Sequence, residues 1–388
     1  MKTLGLYLHI PFCKRKCAYC DFYSICDLTQ IDAYVKALAE QIRSFSVYRK
    51  NYTVDTIYFG GGTPSILTGQ QVCDLLDVIR KTFKLASDAE ITIEANPGTL
   101  DTEKLAGYRR AGVNRLSIGL QSADDGELKL LSRIHTRDEF EENFYLARLE
   151  GFDNISIDLM HGLPYQKEET LMETIDYVIR LDPEHISLYG LRIEPDTAFG
   201  ENEELQNHIV DDDTWSDRYL MAAEKLACAG FLQYEISNFS KLGFECRHNI
   251  RYWKCEEYIG FGPAAHSFIE GKRFSYTKEF KNYILDPTDF TSRLDEIQDI
   301  PPEEQAKEFV MLGFRMTCGV QVAEYNERFH DDFDVRYGEK IAPYIRWGLI
   351  VPTAEGYRLS ENGFLVSNSI LGDILDFRPK TTDGDENE

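Results

Sequence analysis

Cys13, Cys17 and Cys20 fall within eight residues, in the run CKRKCAYC, while the other six of the nine cysteines are scattered. Thiolates are soft ligands that suit zinc or iron–sulfur clusters. A structural zinc site takes four ligands, commonly as two closely spaced pairs, and a second pair is missing here. His9 lies on an alternating segment, where a packed or hydrogen-bonded imidazole is the ordinary outcome, and Cys26 follows Cys20 at no ligand spacing. Three thiolates on a four-iron cluster leave one iron open. An open iron takes a bidentate amino-carboxylate, which is the chemistry S-adenosylmethionine uses. A second unusual run, GGGTP at 60–64, sets three glycines in succession where a plain turn does not require them. Glycine permits close backbone approach.

The elements that must hold these runs are legible from periodicity. Apolar runs rich in β-branched and aromatic residues at 4–10, 55–60, 90–95, 113–120, 154–160 and 185–191 predict six strands. Stretches with helical spacing separate them, at 31–47, 70–83, 103–111, 137–149 and 170–181. Strands alternating with helices predict an α/β fold with a parallel sheet. Six units are too few for a closed eight-stranded barrel, so a partial (β/α)6 barrel is expected, with its site at the C-terminal strand ends. The unusual residues collect at those ends. The cysteine loop follows the first strand and GGGTP the second; Glu94-Ala95-Asn96-Pro97 and Gly119-Leu120-Gln121-Ser122 follow the third and fourth. Asp158 and His161-Gly162-Leu163-Pro164 mark the fifth, and Arg192 to Pro195 the sixth.

Beyond Pro195 the pattern changes. Residues 201–213 are strongly acidic and read as an exposed loop. A helix is predicted over 215–229 and a strand over 233–238. Pro301-Pro302 marks a boundary, after which 303–377 reads helix, helix, helix and hairpin, a winged-helix-like order. The expected division is a partial barrel over 1–200, an extension over 201–300, a mostly helical C-terminal domain over 301–377 and a disordered acidic tail over 378–388.

Charge excludes several partners. The 388 residues carry 42 Lys and Arg against 66 Asp and Glu, a net charge of −24. That balance argues against nucleic acid and against an anionic membrane surface, so the C-terminal domain reads as a packing or lid element. No apolar run reaches membrane-spanning length, and no secretory pattern precedes the cysteines. Clustered cysteines without such a signal indicate a reducing, cytoplasmic compartment.

C-x3-C-x2-C with Tyr19 before the third cysteine, joined to GGGTP, resembles the radical S-adenosylmethionine superfamily. The runs LYLHIPFCKRKCAYCDF, YFGGGTPS, EITIEANPGTL, GVNRLSIGLQS, SRIHT, DLMHGLPYQ, HNIRYW and YIGFGPAAHS together resemble the oxygen-independent coproporphyrinogen III dehydrogenase family. Within it they are most similar to the HemW branch of haem chaperones, over about residues 4–377. The resemblance implies a [4Fe–4S] cluster held by Cys13, Cys17 and Cys20. It implies S-adenosylmethionine contacts from Tyr7, Tyr19, Gly60, Gly61, Gly62, Thr63, Glu94, Gln121, Arg133 and Asp158. The glycine turn would form a backbone nest for the cofactor's methionine amino group. Glu94 and Asp158 can accept from ammonium or hydroxyl groups, and Arg133 can pair a carboxylate.

Two departures set the chain apart from the decarboxylating enzymes of that family. Asp21-Phe22 stands where they carry a further cysteine, and only twelve residues precede Cys13, too few for their N-terminal cover. His248-Asn249-Ile250-Arg251-Tyr252-Trp253 matches the H-N-x-x-Y-W motif of the HemW branch, which implies a haem site with His248 as axial ligand and His266 as second candidate. Cys246 and Cys255 read as inert thiols. From Lys241 to Lys281 eight Lys and Arg stand against five Asp and Glu, a local excess suited to haem propionates. The expected function is a haem chaperone that binds haem and passes it to an acceptor apoprotein. The alternative is a radical S-adenosylmethionine enzyme that cleaves the cofactor reductively and acts on a tetrapyrrole.

Overall fold

The computed structural model describes residues 1–290 and 294–376. The tail expected over 378–388 lies outside the described residues. All six expected strands form: β1 (Lys2–Ile10), β2 (Tyr52–Gly61), β3 (Lys84–Ala95), β4 (Arg115–Gln121), β5 (Ile155–His161) and β6 (His185–Gly190). Each pairs in parallel with the next, so their order in the sheet is their order in the chain. The crossovers carry α1 (Ile31–Ser44), α2 (Gly69–Thr82), α3 (Thr102–Ala111), α4 (Asp125–Leu130), α5 (Arg137–Leu149) and α6 (Glu168–Leu181). Capping boxes at Thr68/Gln71 and Thr136/Glu139 fix the starts of α2 and α5 by satisfying otherwise unpaired helix N–H groups. The first helix stops at Ser44, short of the expected 47, because residues 46–50 turn into a separate 3-10 segment.

The strands alternate between two faces, interrupted by irregularities at Leu4/Gly5, Val54/Thr56 and Gly119/Gln121. Leu6, Leu8, Ile57, Phe59, Ile91, Ile93, Leu116, Ile118, Ile155, Ile157, Ile186 and Leu188 form one core with helix residues such as Leu38, Leu75 and Ile175. The residues between them are largely polar, and that second face forms the site. An all-parallel sheet is covered on both faces, so polar residues there must find partners or line a cavity.

Later strands extend both edges and leave the sheet open. Tyr258–Phe261 pairs in parallel with β1, and His266–Ile269, Lys272–Tyr276 and Leu294–Asp299 follow outward. Asn238–Ser240 pairs antiparallel with β6. The outermost strand, LDEIQD, is charged and mostly exposed, which protects an edge from pairing with other chains. The acidic stretch 201–213 departs from the expected loop. It holds a short helix, Glu203–Gln206, capped by Asn202, and the start of Asp212–Cys228, capped by Asp211. Its carboxylates sit at helix N-termini, where the macrodipole favours negative charge. The single strand expected over 233–238 is two, Leu232–Glu235 and Asn238–Ser240.

Two contact units divide the chain. The first comprises 1–232, 237–251 and 256–299, and the second 233–236, 252–255 and 300 onward. Within the second, helices Pro302–Gly313, Val322–Phe329 and Phe333–Arg346 precede a hairpin of Ile350–Pro352 and Gly356–Leu359. Val320–Gln321 completes a three-stranded sheet, with Gly356–Leu359 at its centre. Phe309, Val310, Tyr325, Phe333, Tyr337 and Ile341 supply much of its core. Among the described residues no helix is long and apolar enough to cross a membrane.

Candidate functional site

Parallel register stacks the polar face in rows. Tyr7, Tyr58, Thr92 and Arg115 stand side by side on β1 to β4, and further along Gly119, Asp158 and Ser187 do so on β4 to β6. Above these rows, at the C-terminal strand ends, lies a cavity of about 450 Å³. Its wall includes all three clustered cysteines, Tyr19 from the same loop, and residues of β2 through β6.

The cysteine loop is pinched shut at its base. Pro11 O accepts from Ile25 N at 2.6 Å, and Cys13 N donates to Ile25 O at 3.0 Å, so the loop leaves and rejoins β1 at one place. Thr63 Oγ1 donates to Cys13 Sγ at 3.5 Å and Arg133 Nη1 to Cys17 Sγ at 3.6 Å. Burial raises the Cys13 thiol and pushes Cys20 up to about 11. Thiols held protonated in this way become ligands when a metal displaces the proton. Among the described residues no three His, Cys, Asp or Glu side chains converge on a point suited to one metal ion. All three cysteines border the same cavity. Three soft thiolate donors beside one cavity are a donor set that fits a [4Fe–4S] cluster.

The glycine run serves close packing first. A Cβ on Gly62 would lie 2.8 Å from Phe12 O, and Gly61, at φ +109°, would put one 2.5 Å from His9 Nδ1. The N–H groups of the turn are also spent: Gly61 N donates to Glu94 Oε2 at 3.2 Å, Gly62 N to Ile10 O at 2.9 Å and Thr63 N to Phe12 O at 2.8 Å. The turn therefore offers no N–H nest, and a cationic amino group calls for oxygen acceptors in any case. Glu94 supplies one. Tyr58 OH donates to its Oε1 at 2.9 Å, and burial pushes its carboxyl up to about 7 against that bond.

Arg133, Asn96 and Thr63 form a chain beside the cysteines. Arg133 Nη2 donates to Asn96 Oδ1 and to Gly119 O, both at 2.7 Å, and Asn96 Nδ2 donates to Thr63 Oγ1 at 2.8 Å. Arg133 Nε is buried without a partner, a donor ready for an incoming acceptor. Asp158 is steadied by Ser117 Oγ at 3.0 and 3.1 Å. Gln121 sits at a bulge with φ +71°, a left-handed conformation costly for a non-glycine residue and often found at ligand sites.

Three of the expected contacts stand behind the wall. Gly60 is buried where an added Cβ would meet Tyr7 Cε2 at 2.9 Å and Tyr58 Cε1 at 3.0 Å. Tyr7 OH donates to His9 Nδ1 at 3.2 Å, while His9 Nε2 donates to Tyr23 O at 3.0 Å, which fixes the neutral imidazole. His248, expected to face haem, is only 1% exposed. Its ring stacks on Tyr58 at 5.1 Å, and its Nδ1 is hydrogen-bonded to Thr56 Oγ1 at 2.9 Å. Its neighbour Asn249 reaches the cavity instead. Asn249, Asn96, Tyr58 and the deeply buried Arg115 also line the cavity, though none is among the expected cofactor contacts. The alternation of β2 and β4 places Tyr58 and Arg115 on the polar face, and that signal was available.

Residues 7–178 match the model of the radical SAM superfamily, and residues 300–366 that of the HemN C-terminal domain. The chain is 36% identical to the heme chaperone HemW of Bacillus subtilis, over 95% of this chain and 98% of that one. It is 38% identical to the heme chaperone HemW of Escherichia coli, over 96% of this chain and 98% of that one. The chain belongs to the HemW family. Among solved structures it resembles coproporphyrinogen III oxidase (HemN) from Escherichia coli, a radical SAM enzyme, with a TM-score of 0.84 over 97% of this chain and 91% of that one. At 23% identity that likeness speaks for the fold alone.

Proposed function

We propose that this protein is a haem chaperone, which binds haem and transfers it to an acceptor apoprotein, on a scaffold carrying a [4Fe–4S] cluster and S-adenosylmethionine. The observation that carries the reading is the gathering of Cys13, Cys17 and Cys20 with Thr63, Glu94, Arg133 and Asp158 around one cavity, in a HemW-family chain. Cys13, Cys17 and Cys20 would hold the cluster. When bound, the cluster and its cofactor supply one-electron chemistry.

The chain's own residues bind and orient. Arg133, through its unpaired Nε, offers a donor for the cofactor's carboxylate. Glu94, once ionised, accepts from the ammonium group. Asp158, held by Ser117, and Gln121 accept from or donate to hydroxyl groups. Tyr19 and Met160 give the wall apolar surface beside the cysteines. Acidic and soluble character away from these groups suits a carrier that meets its acceptor in a reducing, cytoplasmic compartment.

Anaerobic reconstitution of the cluster, followed by haem titration and product analysis in one sample, tests the reading. Stoichiometric haem binding, release of haem to an apo-haemoprotein, and no decarboxylation of coproporphyrinogen III are the expected results. Absence of haem binding, with 5′-deoxyadenosine formed on adding the porphyrinogen, would replace the chaperone with an enzyme.

A further inference from the structure

We propose that His248 is a positioning residue of the cofactor pocket, acting through Tyr58 and Glu94, and that it does not ligate haem iron. The inference rests on the reading above that Glu94 faces S-adenosylmethionine. An axial ligand must present a ring nitrogen to a flat macrocycle, yet His248 is 1% exposed and embedded in the polar face of the sheet. Its imidazole lies nearly parallel to two tyrosine rings, at 5.1 Å and 23° from Tyr58 and 6.5 Å and 26° from Tyr7. Thr56 holds its Nδ1 at 2.9 Å. The helix that carries it, Arg247–Trp253, is fixed from below. Glu90 accepts from Arg247 N and His248 N, both at 3.1 Å, and Arg251 is paired with Asp55.

The far side of the stack is the cavity wall. Tyr58, pressed by His248 on one face, lines the cavity and donates its hydroxyl to Glu94 Oε1 at 2.9 Å; Glu94 Oε2 in turn accepts from Gly61 N. A displaced His248 would therefore let Tyr58 tilt, and Glu94 would lose the donor that holds its carboxylate toward the site. Reaching haem iron would require the imidazole to abandon Thr56 and both rings, and no group among these contacts would replace it.

The test uses the anaerobically reconstituted holoprotein. S-adenosylmethionine affinity is read by equilibrium dialysis, and the ferric haem complex by electron paramagnetic resonance. His248→Ala should weaken cofactor binding about tenfold, the factor that one ordinary hydrogen bond represents. Tyr58→Phe, which removes only the hydroxyl, should weaken it by a similar factor. The double variant should be no weaker than His248→Ala, since both act through one contact. His248→Phe, which keeps the stack but cannot bind iron, should restore most of the affinity. The haem spectrum should be the same in all four. His248→Phe with normal cofactor affinity and a lost axial signal would overturn the proposal, and so would His248→Ala and Tyr58→Phe with unchanged cofactor affinity. A wild-type holoprotein that binds no S-adenosylmethionine would overturn the underlying reading and the proposal with it, an outcome distinct from the other two.

Discussion

Glu90 and Glu94 stand on the same face of one strand, four residues apart, and both are carboxylates taken out of water. Glu90 spends its oxygens on Arg247 N and His248 N, with the Cys246 thiol beside them. It closes the lower end of the polar face against the helix that bears HNIRYW. Glu94 accepts only from Tyr58 and Gly61 among the bonds described and borders the cavity. Residue type and strand face are alike, so neither separates structure from chemistry. Partners do: the lower carboxylate is satisfied by backbone donors that never leave, and the upper one keeps acceptor capacity beside open space. The cysteines repeat the lesson. Cys246 is fully buried against Glu90, whereas Cys13, Cys17 and Cys20 border the cavity.

Several changes would break or sharpen this division. Replacing Cys13, Cys17 or Cys20 with Ala should abolish cluster incorporation, read as iron and sulfide content after reconstitution, and leave the melting temperature of the cluster-free protein nearly unchanged. Cys246→Ala should keep full iron content. At the lower end, Glu90→Ala strands the buried N–H of His248 and frees the part-buried one of Arg247, and should cost about 2 kcal/mol in chemical denaturation. Glu94→Gln should cost little stability, and would erase the contrast if it cost as much.

The carboxyl of Glu94 gives a pH signature. Folded, it keeps its proton up to about pH 7; unfolded, it loses it near 4.5. Between those values the folded state binds more protons, so this group's contribution to stability is present at acid pH and lost as pH rises through about 7. Binding of an ammonium group needs the ionised form. S-adenosylmethionine affinity should therefore rise roughly tenfold per pH unit below about 7 and level off above it, while Glu94→Gln should be weak and flat. Ser117→Ala is the mildest change. It removes one donor from Asp158, which borders the cavity and can take water instead, so a loss under about 1 kcal/mol is expected.

Much of this was open to reading from the chain. CKRKCAYC and GGGTP are local runs, and the six strands announce themselves through alternation, so the fold and the proposed cluster ligands can be named without tertiary information. What could not be read is set by distant partners. Nothing around residue 90 reveals that the N–H groups of residues 247 and 248 will close on it. His248 looks like a ligand in a basic, aromatic segment until Thr56 and Tyr58 are seen around it. The three glycines suggest room for a ligand, yet the carbonyls of Ile10 and Phe12 and the rings of Tyr7, Tyr58 and His9 fill much of that room. The edge strands beyond β1 give a weak pattern because they are short and interrupted by glycine and charge.

The closure of the lower end by a helix so late in the sequence also orders events in time. Thr56 and His248 are 192 residues apart, and Glu90 waits 158 for the same residue. During synthesis the cavity wall through Asp158 emerges about 90 residues before that helix, an interval of roughly 5–20 s at usual elongation rates. For that time the cysteine loop stands on a sheet whose Glu90 lacks its backbone donors. A group bound so early would rest on a support not yet closed.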